Sequence, residues 1–117
     1  MKIAIYIRQF TEENASILLA LFSHLLPDDE VFIESEILKE LHIRSRHFLR
    51  AKAFVSYEDL DASFDVMLTI GGDGTLLKGI TYVRDLQIPI LGINSGRLGF
   101  LATAHKDELE GVMGQLR

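Results

Sequence analysis

Three short apolar runs along the chain predict buried β-strands. Residues 3–7, 65–70 and 88–93 are rich in isoleucine, valine and leucine, and their apolar residues are mostly consecutive rather than alternating with polar ones. A continuous apolar run is typical of a strand that helices cover on both faces. We therefore expect these strands in a parallel sheet, together with a shorter strand at residues 31–34.

Segments with helical spacing separate these strands. Residues 11–26 carry a broad apolar face, and Thr11 is placed to cap the helix ahead of Glu12 and Glu13. Residues 35–49 combine helical spacing with a basic stretch, and residues 75–84 and 106–116 predict two further helices. Alternating strands and helices indicate an α/β fold, a Rossmann-like parallel sheet with helices on both faces.

Composition narrows the function classes. The 117 residues are 48% hydrophobic, which is enough for one domain with a core, and the net charge of −5 argues against a nucleic-acid surface. The absence of cysteine excludes disulfides, thiolate zinc sites and a cysteine nucleophile. The apolar stretch at residues 15–26 is too short to span a membrane, so a cytoplasmic location is the expectation.

A glycine-rich turn, residues 71–74, joins the strand at 65–70 to the next helix. Adjacent glycines permit positive φ and close approach of a ligand, and the amides at a helix start bind phosphate oxygens. The turn is not the dinucleotide fingerprint, because Leu77 stands where the third glycine would be. It is not a Walker loop either, because Ile80 follows the Lys78-Gly79 pair.

Asp73 is the unexpected residue of this turn. A carboxylate repels phosphate unless a metal ion or a substrate hydroxyl lies between them. Phosphoryl transfer uses such a carboxylate to orient the attacking hydroxyl and accept its proton. The alternative is that Asp73 only caps the following helix through a backbone amide.

Two segments resemble one kinase superfamily. Residues 71–77, GGDGTLL, resemble the signature of NAD kinases, diacylglycerol kinases and sphingosine kinases, and 6-phosphofructokinases carry a similar turn. Residues 92–101, GINSGRLGFL, closely resemble an NAD kinase segment that the lipid kinases lack. The resemblance is strong over residues 65–101 and loose elsewhere, and it favours NAD kinase.

The resemblance implies ATP-dependent phosphorylation of the 2′-hydroxyl of the adenosine ribose of NAD, which gives NADP. It makes Asp73 the catalytic residue, with Asp73, Gly74, Leu77 and Lys78 at the dinucleotide and Phe100 against its adenine end. It also implies a divalent ion, usually magnesium, that accompanies the nucleotide, and a homo-oligomer. Lys78 could instead be a solvated helix lysine, and Phe100 could be a core residue.

Family members carry a second, β-rich domain that supplies much of the dinucleotide site. We therefore expect residues 1–117 to be the N-terminal α/β domain, without that C-terminal domain, and a piece of a longer chain. A lipid or sugar kinase of the same superfamily and a non-catalytic nucleotide-binding module remain alternatives. The residues leave open whether ATP, another nucleotide or polyphosphate is the donor, and whether NAD or NADH is the acceptor.

Overall fold

The computed structural model describes residues 1–94 and 104–117, and six strands of this part form one parallel sheet. The sheet order is β3-β2-β1-β4-β5-β6, and every neighbouring pair is parallel. The strands are β1 (Lys2–Ile7), β2 (Glu30–Glu34), β3 (Lys52–Phe54), β4 (Val66–Gly71), β5 (Ile90–Asn94) and β6 (Ala104–His105). The predicted α/β class with a parallel sheet is therefore confirmed.

Four α-helices accompany the strands within the described ranges: α1 (Glu12–Ser23), α2 (Ser35–Arg44), α3 (Asp73–Val83) and α4 (Leu109–Leu116). Thr11 caps α1 as predicted, and its hydroxyl accepts a hydrogen bond from the amide of Asn14 at 3.0 Å. The predicted start of α3 was wrong by two residues: the helix begins at Asp73, whereas residue 75 was expected.

The sheet buries both of its faces. On one face, Ile3, Ile5 and Ile7 pack in a core with α1, α2 and α4. On the other face, Ala4 and Tyr6 pack with the C-terminal part of α3 and with the segments that precede β4 and β5. The alternation of side chains along a strand places neighbouring residues of β1 in the two cores, which explains its continuous apolar run.

Helix α3 approaches β4 closely at one glycine. A Cβ atom at Gly79 would lie 2.5 Å from Cγ2 of Thr69, which is only 1% exposed. The backbone of α3 is therefore in direct contact with the sheet. This contact packs the middle of α3 against β4.

Several sequence-based boundaries were wrong. Strands β3 and β6 were not predicted, and α2 ends at Arg44 instead of residue 49, because Ser45 is extended with φ −155°. Residues 106–108 form a single 3₁₀ turn ahead of α4. In the part of the chain that the structure describes, no helix is long and apolar enough to cross a membrane.

Candidate functional site

The strand order places a crevice between the ends of β1 and β4. These strands are neighbours at the sheet centre, and the chain leaves β1 towards α1 on one face and β4 towards α3 on the other. Loops that diverge to opposite faces open a crevice at the carboxyl edge of a parallel sheet, where α/β proteins bind their ligands. The glycine turn lies at this point.

Gly71 is required by the geometry of the turn. Its φ is +148°, which side chains rarely allow, and a Cβ atom there would lie 2.5 Å from Oγ1 of Thr75. Gly72 then occupies the N-cap position of α3 and makes no side-chain cap. The amides of the first turn of α3 therefore point out of the helix end without a capping side chain, as a phosphate site needs.

The predicted residues of this helix lie together at its beginning. Asp73 is the first residue of α3 and is half-buried. Gly74, Leu77 and Lys78 follow on one face, as their i, i+3, i+4 spacing requires, and they line one cleft of about 460 Å³. We call this cleft, whose other walls are Tyr6, Arg8 and Thr81, the lysine cleft.

The ring of Tyr6 gives the lysine cleft an aromatic wall, and Tyr82 packs against this ring. The ammonium group of Lys78 lies 5.7 Å from the ring centroid of Tyr82, and the rings of Tyr82 and Tyr6 are 5.2 Å apart. Burial raises the pKa of both tyrosine hydroxyls above the usual value, so both remain neutral phenols at pH 7. Leu77 is 55% exposed at the rim of the cleft, where its side chain offers apolar surface.

A second cleft, of about 430 Å³, lies on the other side of the helix end. We call it the turn cleft, because the glycine turn forms one wall and the start of α1 the other. Its lining consists of Arg8, Gln9, Thr11, Glu13, Asn14, Gly71, Gly72, Gly74 and Thr75. The end of α3 thus separates two clefts, and Gly74 and Arg8 line both.

Sequence reasoning missed Arg8 and Asn14. Nη1 of Arg8 lies 3.1 Å from the position that a Cβ atom at Gly74 would occupy, so the guanidinium group lies against the helix end. Arg8 and Gly74 are far apart in sequence, and only the pairing of β1 with β4 brings them together. A prediction of the strand order would have found Arg8, because it directly follows β1.

Two predicted features fall partly or wholly outside the described residues. Phe100 lies outside the described residues, and so does most of the glycine-rich segment at residues 92–101. Asn94, within that segment, is 2% exposed at the end of β5 and is paired in register with Gly71. The described start of this segment therefore lies beside the glycine turn.

Comparisons with known proteins identify the family of the chain. The family described as "ATP-NAD kinase N-terminal domain" matches residues 7–116. The chain is 47% identical to an NAD kinase of Christiangramia forsetii over 118 residues, which span 99% of this chain and 40% of that protein. The chain therefore belongs to the ATP-NAD kinase N-terminal domain family, and it spans about 40% of the length of that relative.

Solved structures share the fold. Yeast NADH kinase complexed with NADH superposes with a TM-score of 0.80 at 22% identity, over 99% of this chain and 37% of that one. An NAD kinase from Archaeoglobus fulgidus in complex with ATP gives a TM-score of 0.50 at 22% identity, over 98% of this chain and 36% of that one. At this level of identity, the similarity shows the fold alone.

Proposed function

We propose that the protein containing this chain is an NAD kinase, which transfers the terminal phosphoryl group of ATP to the 2′-hydroxyl of the adenosine ribose of NAD. The observation that carries the proposal is a half-buried carboxylate, Asp73, at the first position of an uncapped helix whose next residue, Gly74, lines both clefts. Family membership and the NAD kinase name of the Christiangramia forsetii relative support the choice of substrates. Because the yeast relative is an NADH kinase complexed with NADH, NADH is a second candidate acceptor.

Asp73 would act on the attacking hydroxyl. Its carboxylate accepts a hydrogen bond from the 2′-hydroxyl, orients the oxygen towards the terminal phosphorus and takes the proton as the new P–O bond forms. The bond between that phosphorus and the bridging oxygen of ATP breaks, and ADP leaves. The amides at the start of α3 stabilise the charge on the phosphoryl oxygens.

The lysine cleft would take the dinucleotide. Gly74 lets the backbone approach the ligand, Leu77 supplies apolar surface, and the ammonium group of Lys78 attracts a phosphate of NAD. Phe100 would pack against the adenine end. These four assignments follow the family resemblance, and for the first three the shared cleft supports them.

Magnesium, a homo-oligomeric state and a cytoplasmic location are further parts of the proposal. The described residues contain no cluster of three or more His, Cys, Asp or Glu that could hold a metal ion. Mg²⁺ is commonly bound by one or two carboxylates together with substrate phosphates, so the ion would arrive with the nucleotide. It would neutralise charge on the transferred group.

The test is Asp73→Asn in the complete gene product. We expect NADP formation to fall by about 10²- to 10⁴-fold, because the amide cannot accept the proton. Asp85→Asn, an exposed carboxylate just beyond the other end of α3, is the matched control and should leave the rate unchanged. Near wild-type turnover by Asp73→Asn would refute the assigned role, and phosphorylation of a lipid or a sugar in place of NAD would refute the substrate.

A further inference from the structure

The part of the chain between α2 and β3 is basic, although the protein as a whole is acidic. Residues 41–57 contain four Lys and Arg side chains and no Asp or Glu, whereas the whole chain has a net charge of −5. We call residues 42–52, which contain all four of these cations, the basic segment. Nε of Arg44 lies 3.4 Å from Oε2 of Glu40. Within the described ranges, the other three cations have no carboxylate partner.

Apolar side chains project from the same segment. Ile43, in the last turn of α2, is 80% exposed, and Leu49, in the connection to β3, is 64% exposed. The residues that precede them are in contact, because Nε2 of His42 lies 3.2 Å from the carbonyl oxygen of Phe48. The two exposed side chains therefore belong to one region of the surface.

Packing beneath this surface anchors the basic segment. Phe48 is buried, and its ring meets the ring of Phe22 in α1 edge-on, with 5.1 Å between the centroids. The guanidinium group of Arg50 donates hydrogen bonds to the carbonyl oxygens of Leu26 and Asp29, at 2.9 and 2.7 Å. These contacts fix the backbone of the segment, so a partner that binds it does not have to order it first.

The neighbouring groove does not account for the exposed side chains. It has a volume of about 340 Å³ between α1 and the basic segment, and neither Ile43 nor Leu49 lines it. Glu12 adds a negative charge to the groove, and the guanidinium group of Arg44 is stacked on the ring of Phe10 at 4.5 Å. An acidic peptide in this groove would meet a repelling carboxylate and a guanidinium group that is already in use. Projecting apolar side chains among cations suit the surface of an anionic bilayer instead.

We propose that the basic segment binds the surface of a bilayer that contains anionic lipids. Ile43 and Leu49 enter the boundary between the headgroups and the acyl chains, and the cations without a carboxylate partner attract the lipid phosphates. The same surface repels the acidic remainder of the chain, which orients the protein with the basic segment towards the lipid. This inference goes beyond the proposed function and does not depend on it.

Co-sedimentation of the complete gene product with lipid vesicles tests the proposal. Wild type should bind vesicles of phosphatidylcholine mixed with anionic phosphatidylglycerol, and it should not bind phosphatidylcholine alone. Raising the salt concentration from about 0.05 M to about 0.5 M should weaken this binding about 10-fold. Ile43→Ser should weaken it about 10-fold through loss of apolar burial, and Arg46→Gln about 5-fold through loss of one charge. Both side chains are exposed, so neither substitution should change the free energy of unfolding.

Ile80→Ser and Arg84→Gln are the matched controls, because these exposed residues lie in α3 and at its C-cap, on the other face of the sheet. Both variants should bind the mixed vesicles as wild type does. No binding by wild type, or equal weakening by the controls, would overturn the proposal.

Two other outcomes would assign the surface to a different ligand and would also contradict the proposal. Inorganic phosphate might release the protein from the vesicles more than chloride does at equal ionic strength, which would indicate a discrete anion site. Light scattering might show a lower mass for Ile43→Ser than for wild type, without any vesicle binding, which would indicate that a second copy of the chain covers this surface. We expect neither result.

Discussion

The close contact between α3 and β4 leads to a quantitative prediction for Gly79→Ala. Alanine is the better helix former and should stabilise α3 by about 1 kcal/mol. Its Cβ atom would, however, lie 2.5 Å from Cγ2 of Thr69, a distance that real Cβ contacts do not show. Thr69 is buried and β-branched, so its methyl group has little freedom to move away.

The helix propensity of alanine and its clash with Thr69 have opposite effects on the free energy of unfolding. The difference between the two sets the size of the change. Overpacking of a filled core costs about 1–3 kcal/mol. Gly79→Ala should therefore lower the free energy of unfolding by roughly 0–2 kcal/mol. In a Thr69→Ser background the methyl group is absent, and the same substitution should raise the free energy of unfolding by about 1 kcal/mol.

Equilibrium urea unfolding of wild type, Gly79→Ala, Thr69→Ser and the double variant measures the coupling free energy between the two positions. We expect this coupling to be about 1–3 kcal/mol. Gly111→Ala and Gly114→Ala in α4 are matched controls, because a Cβ atom at either position meets nothing within 4 Å. Each should stabilise by about 0.5–1 kcal/mol. If Gly79→Ala stabilises the protein equally in both backgrounds, α3 does not rest on Thr69 and the argument fails.

Three further predictions concern the turn, a buried carboxylate and the lysine cleft. Gly71→Ala should lower the free energy of unfolding by at least about 1–3 kcal/mol, because of its positive φ and the clash with Thr75, and urea unfolding will measure this. The hydrogen bond from Arg117 holds the pKa of Asp29 well below its ordinary value, so the stability from this pair is present at pH 7 and is lost as the pH falls below about 4. The stability advantage of wild type over Asp29→Asn should therefore shrink between pH 7 and pH 3; a constant difference would contradict this. Lys78→Met should raise the KM for NAD about 10-fold with little change in kcat, and a fall in kcat alone would exclude a role in binding.

Local sequence patterns predicted the central part of the fold. Strands β1, β4 and β5 and helix α1 were recognised because each has a dense apolar pattern, and α1 also has a capping threonine. Strands β3 and β6 have three and two residues, and they are strands because a neighbour pairs with them. Such short segments carry no periodicity of their own, so their prediction failed.

The geometry of the glycine turn could also be predicted from the sequence. The strand, the adjacent glycines and the helix start follow one another directly along the chain, so their relation is a local property of the backbone. The role of Asp73 and the contacts of Phe100 with adenine remain predictions.

The two clefts beside the turn depend on long-range pairing instead. Arg8 and Asn14 reach Gly74 and Thr75 only because β1 pairs with β4 in parallel, with Ile7 opposite Ile70. The local pattern of apolar residues specifies which segments become strands, because the tendency to be buried is a property of each side chain. The order of strands is a property of the whole packed chain, because it depends on which helices cover which face, and that order creates the second cleft.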